Sequence, residues 1–128
     1  MRSSQWVAWG AIAVLAAVLA GCALGTVGQA KGKADQSLAT GVQQYEDGSY
    51  ADAAKNLQAA LDTGLLEKPD QVRAHKYLAF IACVSDRDKQ CRAEFLIALQ
   101  IDPNFDLKPA EAGHPIWGPV FRSVKSAK

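Results

Sequence analysis

Imidazole is scarce in this 128-residue chain, which has only His75 and His114. They fall on different predicted elements, and no carboxylate or serine stands at a spacing that would pair with either. Neither therefore reads as a general base. No His, Cys and Asp cluster has metal-ligand spacing, and no glycine-rich loop follows a strand pattern to cradle a phosphate. Excess charge is missing as well. Fourteen lysines and arginines stand against 13 aspartates and glutamates, a net charge of +1, with no basic patch dense enough for nucleic acid. The expectation is a protein that is not an enzyme, with no catalytic residue, no metal, no cofactor, no small-molecule substrate and no nucleic-acid partner. A binding surface is what remains.

Long apolar runs are nearly absent too. The exception is Val7 to Ala20, which is uncharged and follows a short segment whose one charge is Arg2. It is short for a membrane span, which needs about 20 residues, and suits the apolar region of a secretory signal. It ends in Leu19-Ala20-Gly21-Cys22, which resembles the lipobox of bacterial lipoproteins. The resemblance implies removal of residues 1–21 and a covalent lipid on Cys22. What would remain, from Cys22 to Lys128, has balanced charge, because Arg2 is the one charged residue removed. Several acyl chains make such an anchor stable where one chain is marginal. Ala23 follows the cysteine, and in enteric-type sorting a residue other than Asp there favours the outer membrane, with the folded part facing the periplasm. Residues 22–33 carry Gly25, Gly28 and Gly32 with little apolar content. They read as a flexible tether with a reach on the order of 20 Å.

With Cys22 assigned to lipid, two cysteines remain. Cys83 is expected near the end of one helix and Cys91 in the first turn of the next, across Ser85-Asp86-Arg87-Asp88. In an oxidising compartment such a pair is usually bonded, and facing ends of a tight hairpin reach disulfide distance. The alternative is two free thiols filling small core slots. The spacing is not Cys-x-x-Cys, so a redox enzyme is not indicated.

The stretch Gly41 to Pro103 repeats itself. Gly41 aligns with Ala79, Ala53 with Cys91, Leu57 with Phe95 and Ala60 with Ala98, every pair at the same offset. Small residues sit where two helix axes approach, and larger apolar ones fill the space beside them. With Gly48 in the turn and Pro103 after the last helix, the pattern resembles a pair of tetratricopeptide repeats. That family's unit is about 34 residues, and the surplus here falls in Leu65-Leu66-Glu67-Lys68-Pro69. The bland alternative is a helical hairpin bundle with chance self-similarity. The predicted fold class is all-α: antiparallel helix pairs over residues 34–103 and a cap over 104–128. Predicted helices run from Ala34 to Glu46, from Ser49 (as a cap, with Asp52 three on) to Thr63-Gly64, from Pro69 to Val84 as the central helix, and from Asp88 to Ile101. Phe105 and Leu107 are expected to fold onto the fourth helix. Ile116, Trp117, Val120, Phe121 and Val124 fall on one face of a last helix, with Arg122, Lys125 and Lys128 facing water.

The repeat resemblance implies a concave groove lined by the first helix of each pair. Leu38, Val42 and Tyr45, then Arg73, Lys76, Tyr77 and Phe80, would face it. Tyr45, Arg73, Lys76, Tyr77 and Phe80 are the candidate protein-binding residues, mixing aromatic anchors with polar orientation. The competing reading has Tyr45 and Phe80 in the core with Arg73 and Lys76 merely solvated. The paired asparagines of the family's carboxylate-clamp type are not present. The C-terminal run Pro109-Ala110-Glu111-Ala112-Gly113-His114-Pro115-Ile116-Trp117-Gly118-Pro119-Val120-Phe121-Arg122, after Asp102-Pro103-Asn104-Phe105, resembles the TssQ-type lipoproteins associated with type VI secretion. That resemblance implies an adaptor or scaffold whose partner is another envelope or secretion-system protein. The alternatives are a pilotin-like lipoprotein for a secretin or pilus and a regulator of peptidoglycan enzymes.

Overall fold

The computed structural model describes residues 23–64 and 66–128, with side chains from residue 28 onward. Residues 1–21, expected to be a signal segment, and Cys22 lie outside the described residues. Six helices account for the described secondary structure: α1 (Ala23–Glu46), α2 (Tyr50–Asp62), α3 (Lys68–Val84), α4 (Asp88–Ile101), α5 (Pro109–Ala112) and α6 (Trp117–Ser126). No strand occurs among the described residues.

The first two helices pack on each other across a short turn, and so do α3 and α4. The two turns are built alike. Gly48 has φ +80° and Asp86 φ +58°. The N–H of Ser49 donates to the carbonyl of Gln44 at 2.8 Å, and that of Arg87 to Ala82 at 2.9 Å. Each is the six-to-one bond of a Schellman helix end, which requires a left-handed residue. Glycine adopts that conformation freely, and Asp is among the few other residues that tolerate it. The left-handed residue and the closing bond of the first turn thus recur in the second, at the offset of the sequence repeat.

The helix faces keep the same register. Ala53, Leu57 and Ala60 of α2 are fully buried, and so are Cys91, Phe95 and Ala98 of α4. A Cβ added at Gly41 would lie 2.8 Å from Leu57 Cγ and 3.1 Å from the Ala53 carbonyl oxygen. The α1–α2 approach therefore depends on glycine at that position. Helix α3 is central. Its Ala74, Leu78 and Ile81 join one core cluster with Leu38, Val42 and Leu57, while Phe80, Ala82 and Cys83 join a second with Phe95, Leu99 and Trp117. Burial on two sides explains why the second half of α3, Tyr77 to Val84, is apolar all round.

Four expectations need correction. The segment predicted as a coiled tether is helical from Ala23, and α1 runs 24 residues, about 36 Å at 1.5 Å per residue. Gly28 and Gly32 weaken it, but no proline interrupts, and each residue added to a formed helix gains one backbone bond. Lys31 also ties the extension to the α2–α3 connection through Glu67, at 2.9 Å. The contact holds the Glu67 carboxyl below its ordinary range, chiefly through the Lys31 hydrogen bond. Second, Ser49 occupies the N-cap position of α2 without a side-chain cap bond; its backbone carbonyl accepts from Ala53 N–H instead. Third, Ile116 is not on the buried face of the last helix. It precedes α6 and is 48% exposed, whereas Trp117 and Phe121 are buried. Fourth, of the three basic residues expected to face water, Arg122 and Lys128 are exposed but Lys125 is half-buried. Lys125 pairs with Asp106 at 2.8 Å, Lys128 donates to the Leu99 carbonyl at 2.7 Å, and Arg122 to that of Ala112 at 3.2 Å. These bonds pin α6 against α4 and the preceding loop.

Candidate functional site

The five residues expected in one groove are divided between two places. Tyr45, Tyr77 and Phe80 meet in an aromatic ladder. Tyr45 and Tyr77 ring centres are 5.0 Å apart, and Tyr77 and Phe80 5.9 Å. Phe80 then stacks on Trp117 at 4.2 Å, and Trp117 on His114 at 3.3 Å. The ladder thus runs from α1 through α3 into the C-terminal segment. Phe80 is buried at its centre, so it is a core residue and not a free anchor. Leu38 and Val42, also expected on the groove side, are buried in the first core cluster. Tyr45 is half-buried, and its phenol is pushed up to about 12 by burial first, with the neighbouring phenols of Tyr50 and Tyr77 and the Glu111 carboxylate adding to it.

Lys76 is buried as well, because the chain returns over it. Its Nζ lies 2.6 Å from Glu111 Oε1 and sits over the rings of Tyr77 and Phe80, at 4.7 and 5.7 Å. Glu111 is a joint. Its Oε2 accepts the Lys108 backbone N–H at 3.0 Å, and its carbonyl accepts the Trp117 indole N–H at 2.9 Å. A buried ammonium requires such a partner, since an unpaired buried charge is strongly unfavourable. The pair locks the 108–117 segment across α3 at the place where an open groove was expected.

Arg73 stands apart from the ladder. It is exposed and lines a cleft of about 480 Å³ between the first half of α3, the end of α4 and residues 105–111. Val72, Ile101 and Phe105 form the apolar floor, and Lys68, Arg73 and Lys108 are the basic residues around it with no ion pair among the described residues. The acidic side chains here are engaged. Glu111 holds Lys76, and Asp102 accepts the Asn104 N–H at 2.9 Å. Asp106 is held below its ordinary pKa, first by the Lys125 hydrogen bond and then by the Leu107 N–H. Sequence reasoning missed Lys68, Val72, Ile101, Phe105 and Lys108. A signal was present in the two Lys-Pro steps, Lys68-Pro69 and Lys108-Pro109, which open α3 and α5.

His75 does have a carboxylate partner, contrary to the spacing argument: Nδ1 lies 2.6 Å from Glu94 Oε2, and both side chains are largely buried between α3 and α4. The partners are far apart in the chain and meet only through the hairpin, so no local spacing could reveal them. His114 accepts the Ile116 N–H on Nδ1 at 3.2 Å and is stacked on Trp117. Cys83 and Cys91 are joined as a disulfide with Cα atoms 5.1 Å apart. Among the described residues no group of His, Cys, Asp and Glu could hold a metal ion, and no helix is long and apolar enough to cross a membrane. Comparison with known proteins gave no match to a family model, to a curated protein or to a solved structure.

Proposed function

We propose that the chain is a membrane-anchored periplasmic adaptor lipoprotein that binds another protein of a secretion machine, that machine being a type VI system. In this reading α1–α2 and α3–α4 are tetratricopeptide-like pairs and α6 is the capping helix. Cys22 carries the lipid, and the folded part faces the periplasm from the outer membrane. The observation that carries the adaptor reading is the cleft beside Arg73, an apolar floor ringed by cations that have no ion pair among the described residues. The turns and buried positions repeated at one constant offset support the pairing. The lipid anchor rests on Leu19-Ala20-Gly21-Cys22, and the secretion assignment on the 102–122 sequence.

Crosslinking in living cells, followed by recovery of the chain from solubilised envelopes and mass spectrometry, tests the function. Secretion baseplate, sheath or membrane-complex subunits are expected. A secretin or a cell-wall hydrolase in their place would overturn the assignment. The anchor is tested separately with Cys22→Ser. That variant should lose incorporation of labelled fatty acid and retain its helical signal, because no described core residue is altered.

A further inference from the structure

The geometry points to a specific occupant for the Arg73 cleft: an acidic peptide segment of a partner protein, with one large apolar side chain seated between carboxylates. This rests on the adaptor reading and names the partner chemistry. The site differs from the repeat groove expected from the sequence, because no residue of α1 or α2 lines it and the C-terminal segment supplies one wall.

Three observations select that chemistry. First, the floor of Val72, Ile101 and Phe105 offers apolar surface to a side chain, and burying such a side chain is the main source of affinity at a small contact. Second, the charges around the floor are unbalanced once internal pairing is counted. Lys76 is consumed by Glu111 and Asp106 by Lys125, whereas Lys68, Arg73 and Lys108 have no anionic partner among the described residues and face one carboxylate without a cationic partner, that of Asp102. The surplus is positive, so a complementary occupant is negative. Third, Lys68, Arg73 and Lys108 are exposed side chains, not a convergent cage for one small anion. Long mobile cations around an apolar floor fit carboxylates spaced along a chain on either side of an anchor. The volume of about 480 Å³ lies within the roughly 300–1,000 Å³ range of clefts that enclose a compact ligand.

The test uses the full chain in an uncharged detergent and reads fluorescence anisotropy of a labelled peptide, Glu-Asp-Leu-Phe-Asp-Glu. Saturable binding is expected, weakening as salt rises. Reversing two cations, Arg73→Glu with Lys108→Glu, should weaken it more than tenfold while leaving the circular dichroism spectrum unchanged. The same variant should gain binding of Lys-Arg-Leu-Phe-Arg-Lys, an outcome that mere unfolding could not give. Equal binding of both peptides by the native chain would overturn the proposal. So would binding of soluble dihexanoylphosphatidylglycerol without binding of the acidic peptide, which would make the cleft a headgroup site. If the peptide is not bound but envelope crosslinking still yields a secretion partner, the cleft assignment falls and the adaptor stands. If the peptide binds as described and no envelope protein is captured, the cleft chemistry stands and the adaptor reading falls.

Discussion

Tyr45 shows what one side chain can report. Its phenol is raised to about 12 mainly by burial, against about 10 for a tyrosine in an unfolded chain. The folded state therefore holds this proton more tightly than the unfolded state. The corresponding stability is fully present below pH 10 and is lost as pH rises from 10 through 12. A spectrophotometric titration of the native chain against Tyr45→Phe should show the missing phenol titrating near 12; a difference centred near 10 would mean that Tyr45 is solvated. At this scale the sequence was legible wherever the cause was local. Gly41 and Ala53 were readable as close-approach positions from their size. Lys76 was not readable, because a lysine on a helix reads as solvated until Glu111, distant in the chain, covers it. His75 and Glu94 were hidden for the same reason.

The elements were legible in proportion to how local their signals are. The turns at Gly48 and Asp86 bound α2 and α4 near the expected residues, and Pro69 marks the first turn of α3. The extension of α1 to Ala23 escaped a reading based on composition, since its support comes from helix propagation and a distant glutamate. Two elements invite measurement. The Cys83–Cys91 bond closes a short hairpin loop, and in the chain-entropy model a loop of that size contributes roughly 2–3 kcal/mol. Replacing both cysteines by alanine should lower the stability to denaturant by about that free energy, with the helical spectrum retained. An unchanged midpoint would show that the bond adds nothing to the hairpin. The C-terminal segment is held by Trp117 between Phe80 and His114. Trp117→Ala should cost about 3–5 kcal/mol and speed amide exchange in α6 and residues 108–117 more than in α1 and α2. Uniform acceleration would mean that the segment is not a separately docked element.

On the scale of the whole molecule, a long first helix forms half of the first of two hairpins with matching turns, and the C-terminal segment closes over the second. The repeated register was readable because each hairpin is a local unit. The cleft was not, since its walls come from residues 68–76 and 101–111 and meet only after the chain has folded back. The same closure explains why the expected groove did not assemble: Phe80 and Lys76 are spent on holding Trp117 and Glu111. The most direct test of the adaptor account places a photo-crosslinking amino acid at Arg73 and, in a second strain, at Gln58, which is exposed on α2 away from the cleft. Both chains are expressed at native level and irradiated in intact cells. The account predicts that a secretion-system envelope protein is captured from position 73 and not from position 58. Capture from 58 alone would keep the adaptor and move its contact off the cleft, and no capture of such a protein from either position would contradict the account.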